Sequence, residues 1–323
     1  MGSDPIARPA LEWIRQQAGD LATVVGVFTQ PDRPSGRGQK LTPNGIKLWA
    51  AGHGLPVFQP EKLTPAAKDD LLALRPDAVL VMAYGHILRQ DWLDLPPCGV
   101  WNLHASILPA LRGASPIQGA IISGACESGV SLMRMVLRLD AGPVLDIERV
   151  PIAEGDTAAV LEDKLAQACV PLLARSLAAA LQPDPAVCLQ DEAGVTFTRR
   201  LRKEDGRLDF SATAAVLARR INGLFPWPGT FFDLGGEMIK VGLAAAGAGD
   251  VPAGLAPGTV LGGGAEALEV ATGAGVLRLL RLQRPGGRLL PAAEFLRGHP
   301  IAPGTVLASV PMPELIGRVP FRG

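Results

Sequence analysis

Apolar and polar positions divide the chain into two stretches of different rhythm. In the first, segments of helical period alternate with short apolar runs of strand length. Asp4 and Pro5 read as an N-cap and first helical position, and Ile6, Ala10, Trp13 and Ile14 follow at helical spacing. Ala22 to Phe28 is a nearly continuous apolar run, as buried parallel strands are. Thr42-Pro43 and Thr64-Pro65 repeat the helix-start signal. Further strands are predicted at Pro56 to Gln59, Asp77 to Tyr84, Gly99 to Leu103 and Val130 to Leu137. Helices are predicted over Ser115 to Ser123 and Thr157 to Leu181. Such alternation predicts the α/β class, with an open, mostly parallel, Rossmann-like sheet.

Past Gln182-Pro183-Asp184-Pro185 the rhythm changes. A polar, charged stretch leads to one helical segment, Ala212 to Asn222, and then to short strands punctuated by Gly and Pro. These are Thr230 to Leu234, Met238 to Leu243, Gly258 to Leu261, Ala267 to Ala271 and Val276 to Leu282. They predict a small OB-like β-barrel. The expected domains are residues 1–183, a linker over 184–203 and a barrel over 204–310. The Gly/Ala-rich stretch Ala244 to Gly254 reads as a flexible loop.

Composition narrows the class. Of 323 residues, 48% are hydrophobic and 19% charged, which supports real cores and excludes a disordered chain. Ala78 to Tyr84, the longest candidate apolar run, is far short of the roughly 18 residues a membrane span needs. No basic segment followed by an apolar one opens the chain, so a cytoplasmic protein is expected. Cys98, Cys126, Cys169 and Cys188 are scattered without a C-x-x-C pair, which argues for reduced thiols and against a metal site. The net charge of +0 hides an asymmetry, because 15 Lys/Arg face 10 Asp/Glu from Arg199 onward. That excess permits a polyanionic partner for the second half.

Candidate chemistry gathers at one strand end. Residues two apart on a strand share a face, so Asn102 and His104 project together. They lie near the carboxyl end of their strand, where open α/β sheets bind ligands. Asp140-Ala141-Gly142-Pro143 and Tyr84-Gly85-His86-Ile87-Leu88 follow two other strands. Taken alone, each of these segments is also an ordinary strand end or turn.

Together, and in this order, they resemble the folate-dependent formyltransferase family. The family signature N-x-H-x-S-L-L-P stands here as Asn102-Leu103-His104-Ala105-Ser106-Ile107-Leu108-Pro109, with Ile107 in place of a leucine. L-D-x-G stands as Leu139-Asp140-Ala141-Gly142, and Ala83 to Leu88 resembles the family's folate-pocket segment. Gln30-Pro31-Asp32-Arg33-Pro34-Ser35-Gly36-Arg37-Gly38 looks like the basic loop of the branch that acts on methionyl-tRNA. Leu208-Asp209-Phe210 and Asn222-Gly223-Leu224-Phe225-Pro226-Trp227-Pro228 resemble the start of that branch's C-terminal barrel.

The resemblance implies transfer of a formyl group from 10-formyltetrahydrofolate to the amine of initiator methionyl-tRNA, without a metal. Asn102 and a His104 N–H would donate to the developing oxyanion, His104 would take part in proton transfer, and Asp140 would orient and charge-balance His104 or position a relaying water. Ser106, Ile107, Leu108 and Pro109, with Tyr84, Ile87 and Leu88, would wall the folate pocket. Arg33, Arg37 and Lys40 would contact tRNA. A monomer is expected. The alternatives are a formyltransferase for a sugar amine, or an inactive tRNA-binding homologue. Family members also carry a short strand ahead of the turn that here reads Met1-Gly2-Ser3-Asp4-Pro5. An internal start is therefore expected, with backbone groups and apolar side chains left uncovered. A strand restored upstream should raise Tm.

Overall fold

The computed structural model describes residues 1–35, 38–264 and 266–321. The chain forms two units, each assembled from separated stretches. The first comprises Met1–Arg112, Ser128–Val150 and Glu162–Val195, and the second Gly113–Glu127, Pro151–Leu161 and Thr196–Gly323.

The elements that lie wholly or mainly in the first unit run α1 (Arg8–Gln17), β1 (Val27–Phe28), α2 (Gly45–Gly52), β2 (Val57–Phe58), α3 (Pro65–Ala73), β3 (Val79–Val81), β4 (Val100–His104), β5 (Glu127–Arg134), β6 (Val144–Pro151) and α4 (Ala158–Ala180). The helix starts follow their caps. Asp4 accepts from the Ile6 amide at 3.0 Å, opening the turn that leads into α1. Thr64 accepts from Ala67, with Pro65 in the first helical position. The helix start expected at Thr42-Pro43 is displaced. Thr42 ends the strand Lys40–Thr42, and Asn44 caps α2 by accepting from the Lys47 amide at 2.9 Å.

Two strand groups form. β1 and β2 pair in parallel, and the other sheet has the order β3-β4-β5-β6. β3 and β4 are parallel, while β5 returns antiparallel to β4. Met1–Ser3 lie between the groups. Gly2 donates to the Phe28 carbonyl at 3.0 Å, Met82 to Met1 at 3.0 Å and Ser3 to Ala83 at 3.2 Å. The Met1 amine donates to the Leu80 carbonyl at 2.6 Å, and burial pushes its pKa down to about 5.

The strand expected over Ala22 to Phe28 contracts to Val27–Phe28. A strand is a property of its ladder, and the Val27 and Thr29 amides have the Pro56 and Phe58 carbonyls at 2.9 Å. Residues 22–26 instead line a cavity of about 380 Å³, with Met1, Leu80, Met82 and Leu103 among its other walls. Leu21 and Val25 are 44% and 43% exposed beside it.

On α4, half-buried Glu162 is pushed up to about 7 by desolvation and by the neighbouring Asp4 carboxylate. Its folded pKa lies above its ordinary value, so the folded state holds the extra proton between the two. Stability therefore falls as pH rises through that window, and the cost is complete above it. Glu162→Gln should raise Tm by roughly 2–4 °C at pH about 8 and by nothing below pH about 4.5. Thermal unfolding across that range checks this; a pH-independent difference would contradict it.

In the second unit α5 (Ala214–Leu224), capped by Thr213, packs on a curled antiparallel half-barrel. Its strands are β7 (Thr230–Leu234), β8 (Glu237–Ala246), β9 (Val260–Gly263), β10 (Leu268–Ala271) and β11 (Val276–Gln283), ordered β7-β8-β11-β10-β9. Leu217, Ile221, Phe232, Ile239, Leu268 and Leu279 form its core, with Phe210 fully buried among them. The loop expected over Ala244 to Gly254 begins later, because Ala244–Ala246 extend β8 and pair with β11. Asn222 explains the extension. The register slips between Val241 and Ala244, and there the buried Asn222 amide donates to the Ala244 carbonyl and accepts its N–H, both at 3.0 Å. A side chain thus stands in for the ladder where the bulge leaves backbone groups unpaired. A helix that the sequence pattern did not signal follows at Ala292–Gly298.

Candidate active site

Along β4 the alternation sorts side chains as expected. Trp101 and Leu103 are buried, and Trp101 Nε1 donates to the Cys98 and Ala180 carbonyls, each at 3.0 Å. Asn102 and His104 occupy the alternate positions, Asn102 half-buried and His104 6% exposed. His104 Nε2 lies 3.0 Å from the Leu111 carbonyl. A carbonyl only accepts, which assigns the proton of the neutral ring to Nε2. Nδ1 then faces Asp140 Oδ2 at 3.8 Å, with the aspartate side chain 12% exposed.

The loop after His104 is held by its own polar atoms. Ser106 Oγ donates to the Ala110 carbonyl at 2.6 Å. Ser131 Oγ, on β5, donates to the Ser106 carbonyl at 2.7 Å and accepts from the Leu108 amide at 3.1 Å. Leu111, whose carbonyl orients His104, has a φ of 59°. A non-glycine residue keeps such a backbone only where its surroundings hold it.

Asp140 also lies in the left-handed region, with φ 45°. Gly142, two residues on, allows the turn to close. A Cβ there would sit 1.7 Å from the Arg134 carbonyl oxygen. The D-x-G spacing thus has a steric cause. Sequence reasoning missed the side chains behind this turn. Gln190, from the expected linker, donates through Nε2 to the Asp140 and Gly142 carbonyls at 2.8 and 2.7 Å. Its Oε1 accepts from Nε and Nη2 of the fully buried Arg112 at 3.0 and 2.8 Å. Arg138 and Arg112 hold the Glu192 carboxyl below the usual range.

The expected folate-pocket residues separate into two groups. Ser106 to Pro109 form the loop beside the His104–Asp140 pair, with Ile107 and Pro109 half-buried and Leu108 packed on Met133 and Val144. Tyr84 and Leu88 belong to the core around Phe28 and Trp92, and burial pushes the Tyr84 hydroxyl's pKa up. Ile87 is 89% exposed.

The basic loop forms an antiparallel hairpin, Arg33–Ser35 with Lys40–Thr42. Arg33 and Lys40 are exposed on it, and Arg37 lies outside the described residues. Its base is anchored. Asn44 and Gln59 donate to the Gln30 carbonyl at 3.0 and 2.8 Å, and Lys47 pairs with Asp32 at 2.8 Å. Hydrogen bonds from Lys47 and Gln59 hold the Asp32 carboxyl below its ordinary range. Among the described residues no three His, Cys, Asp or Glu side chains could hold a metal ion, and no helix is long and apolar enough to cross a membrane.

Parallel strand pairs with Asn102 and His104 on β4 and Asp140 in the turn between β5 and β6, followed by a β half-barrel, belong with one family over most of the chain. The profile described as formyl transferase matches residues 2–177, and that of the formyl transferase C-terminal domain matches residues 200–300. The chain belongs to the formyl transferase family. It is 46% identical to a methionyl-tRNA formyltransferase of Myxococcus xanthus (strain DK1622), over 88% of this chain and 91% of the relative. It is 42% identical to one of Gluconobacter oxydans (strain 621H), over 95% of this chain and 98% of the relative. Among solved structures it resembles WlaRD, a sugar 3N-formyl transferase described with dTDP and 5-N-formyl-THF. That likeness has a TM-score of 0.63 at 15% identity and covers 86% of this chain and 95% of the other, so it concerns the fold alone.

Proposed function

We propose that the protein transfers a formyl group from 10-formyltetrahydrofolate to the amino group of initiator methionyl-tRNA. One observation carries the chemistry: a buried His104 whose Nδ1 faces a nearly buried Asp140 carboxylate at 3.8 Å, one strand position pair away from Asn102. Identity above 40% to methionyl-tRNA formyltransferases along nearly the whole chain supports the acceptor.

The formylated folate supplies an activated carbonyl. Asn102 offers its amide N–H to the carbonyl oxygen, whose negative charge grows as the methionyl amine attacks. His104 keeps Nε2–H on the Leu111 carbonyl, so Nδ1 is the atom that takes the amine's proton. Asp140 balances the imidazolium, an interaction strengthened by low local polarity. His104 then returns the proton to the nitrogen of the departing tetrahydrofolate. One carbon–nitrogen bond forms, one breaks, and the histidine ends as it began. The loop Ser106 to Pro109 with Ile87 would meet the folate, and Tyr84 and Leu88 would support that wall from the core. A monomer working in the cytoplasm accords with this role.

The test is an acceptor comparison. Labelled formyl should pass to methionyl-tRNA and not to a nucleotide-linked amino sugar; the reverse preference would overturn the reading. The exposed Arg33 and Lys40 yield a separate prediction. Replacing both with alanine should reduce the slope of log affinity against log salt by about 1–2 and weaken tRNA binding. An unchanged slope would remove the hairpin from the tRNA interface.

A further inference from the structure

We infer that Gln190 is a positioning residue for the catalytic carboxylate, holding the Asp140 turn by two backbone carbonyls while buried Arg112 holds Gln190. The inference rests on the reading that Asp140 acts with His104. A side-chain amide has two N–H groups and two lone pairs, and here all four are used. The two N–H groups go to Asp140 and Gly142, and the oxygen takes two bonds from one guanidinium. Reversing the amide would set its oxygen against two carbonyls and its N–H groups against a cation, so only one orientation is compatible with these partners.

Arg112 gives the arrangement its rigidity. It is completely buried and bonded to Gln190 by the planar fork of its guanidinium, and Glu192 accepts from it at 3.1 Å. Asp140 needs such support. Its φ of 45° lies in the left-handed region, which costs a non-glycine residue energy even though aspartate tolerates it better than most. The clamp grips the carbonyls on both sides of Ala141, and thereby fixes where the carboxylate meets His104 Nδ1. Gln190 is itself half-buried and lies 50 residues downstream of Asp140.

Gln190→Glu separates positioning from mere packing. Glutamate keeps the shape and the acceptor for Arg112 but cannot donate to the two carbonyls. It should lower kcat for methionyl-tRNA formylation by about 10–100-fold, because displacement of a reacting group by an ångström costs on that order. KM for both substrates should stay within about 2-fold of the parent. Gln190→Ala should lose kcat equally and lower Tm as well, since Arg112 loses its acceptor. If Gln190→Glu keeps kcat within about 2-fold while Asp140→Asn loses it, Gln190 merely partners Arg112 and the inference fails. If Asp140→Asn itself keeps kcat, the reading of the site fails and takes the inference with it.

Discussion

His104→Ala lowers kcat for formyl transfer by about 10²–10⁴-fold and leaves KM for tRNA and folate near the parental values. The expectation follows from where the ring's two nitrogens are committed. Nε2–H is bound to the Leu111 carbonyl, so Nδ1 is left to exchange protons beside the Asp140 carboxylate. Alanine removes the proton acceptor and leaves the carboxylate facing the amine without its histidine. Asp140→Asn in the same background should add little, because groups that act as a unit lose their effect together. Steady-state kinetics on the two single variants and the double variant check this. Multiplying losses would mean that the two residues act independently.

The second large effect is structural in origin. Gly142→Ala places a Cβ 1.7 Å from the Arg134 carbonyl oxygen and 2.9 Å from its carbon. Both are backbone atoms that cannot swing aside. Arg134 is fixed at the end of β5, where its amide donates to the Pro143 carbonyl at 2.9 Å and the next amide donates to Val100 at 2.8 Å. The Asp140 turn must therefore move. Tm should fall by roughly 6–12 °C, corresponding to about 3 kcal/mol in a unit of this size. The activity of the surviving folded protein should fall by about 10²-fold as the carboxylate leaves His104. Unfolding curves and kinetics on the same preparation give both numbers, and an unchanged Tm would contradict the close approach.

What could be read from the sequence depended on whether the cause was local. Asn102 and His104 share a face because strands have a period of two, and the structure keeps both on β4 with Trp101 and Leu103 turned to the core. The caps at Asp4 and Thr64 are also local, as is the change from alternating helix and strand to short strands between the two halves. Thr42-Pro43 misled because Asn44, two residues on, competes for the same helix and wins by capping Lys47. Ala22 to Phe28 has strand composition throughout, but only Val27 and Phe28 have a partner strand. Ala244–Ala246 look like loop residues, yet all three pair with β11, and the Asn222 amide, 22 residues earlier, bonds Ala244 where the register slips.

The clamp on Asp140 was out of reach for the same reason. Gln190 stands in a polar stretch after a proline-rich break, where a linker is the natural reading. Its importance comes from partners 78 residues upstream at Arg112 and 50 upstream at Asp140. Arg112 carries a charge, and charged residues are seldom fully buried, so nothing in the sequence marks it as the anchor of Gln190. The folate segment shows the limit from the other side. Tyr84, Ile87 and Leu88 share one motif, yet Tyr84 and Leu88 join the core while Ile87 is exposed.

The most direct test is single-turnover transfer of labelled formyl from 10-formyltetrahydrofolate to initiator methionyl-tRNA, with the parent chain and with Asn102→Ala. The parent should label the methionyl amine. Asn102→Ala should bind tRNA as before and react about 10²–10³-fold more slowly, the loss expected for one oxyanion donor. A parent that leaves methionyl-tRNA unlabelled, or an Asn102→Ala variant that reacts at the parental rate, would contradict the account.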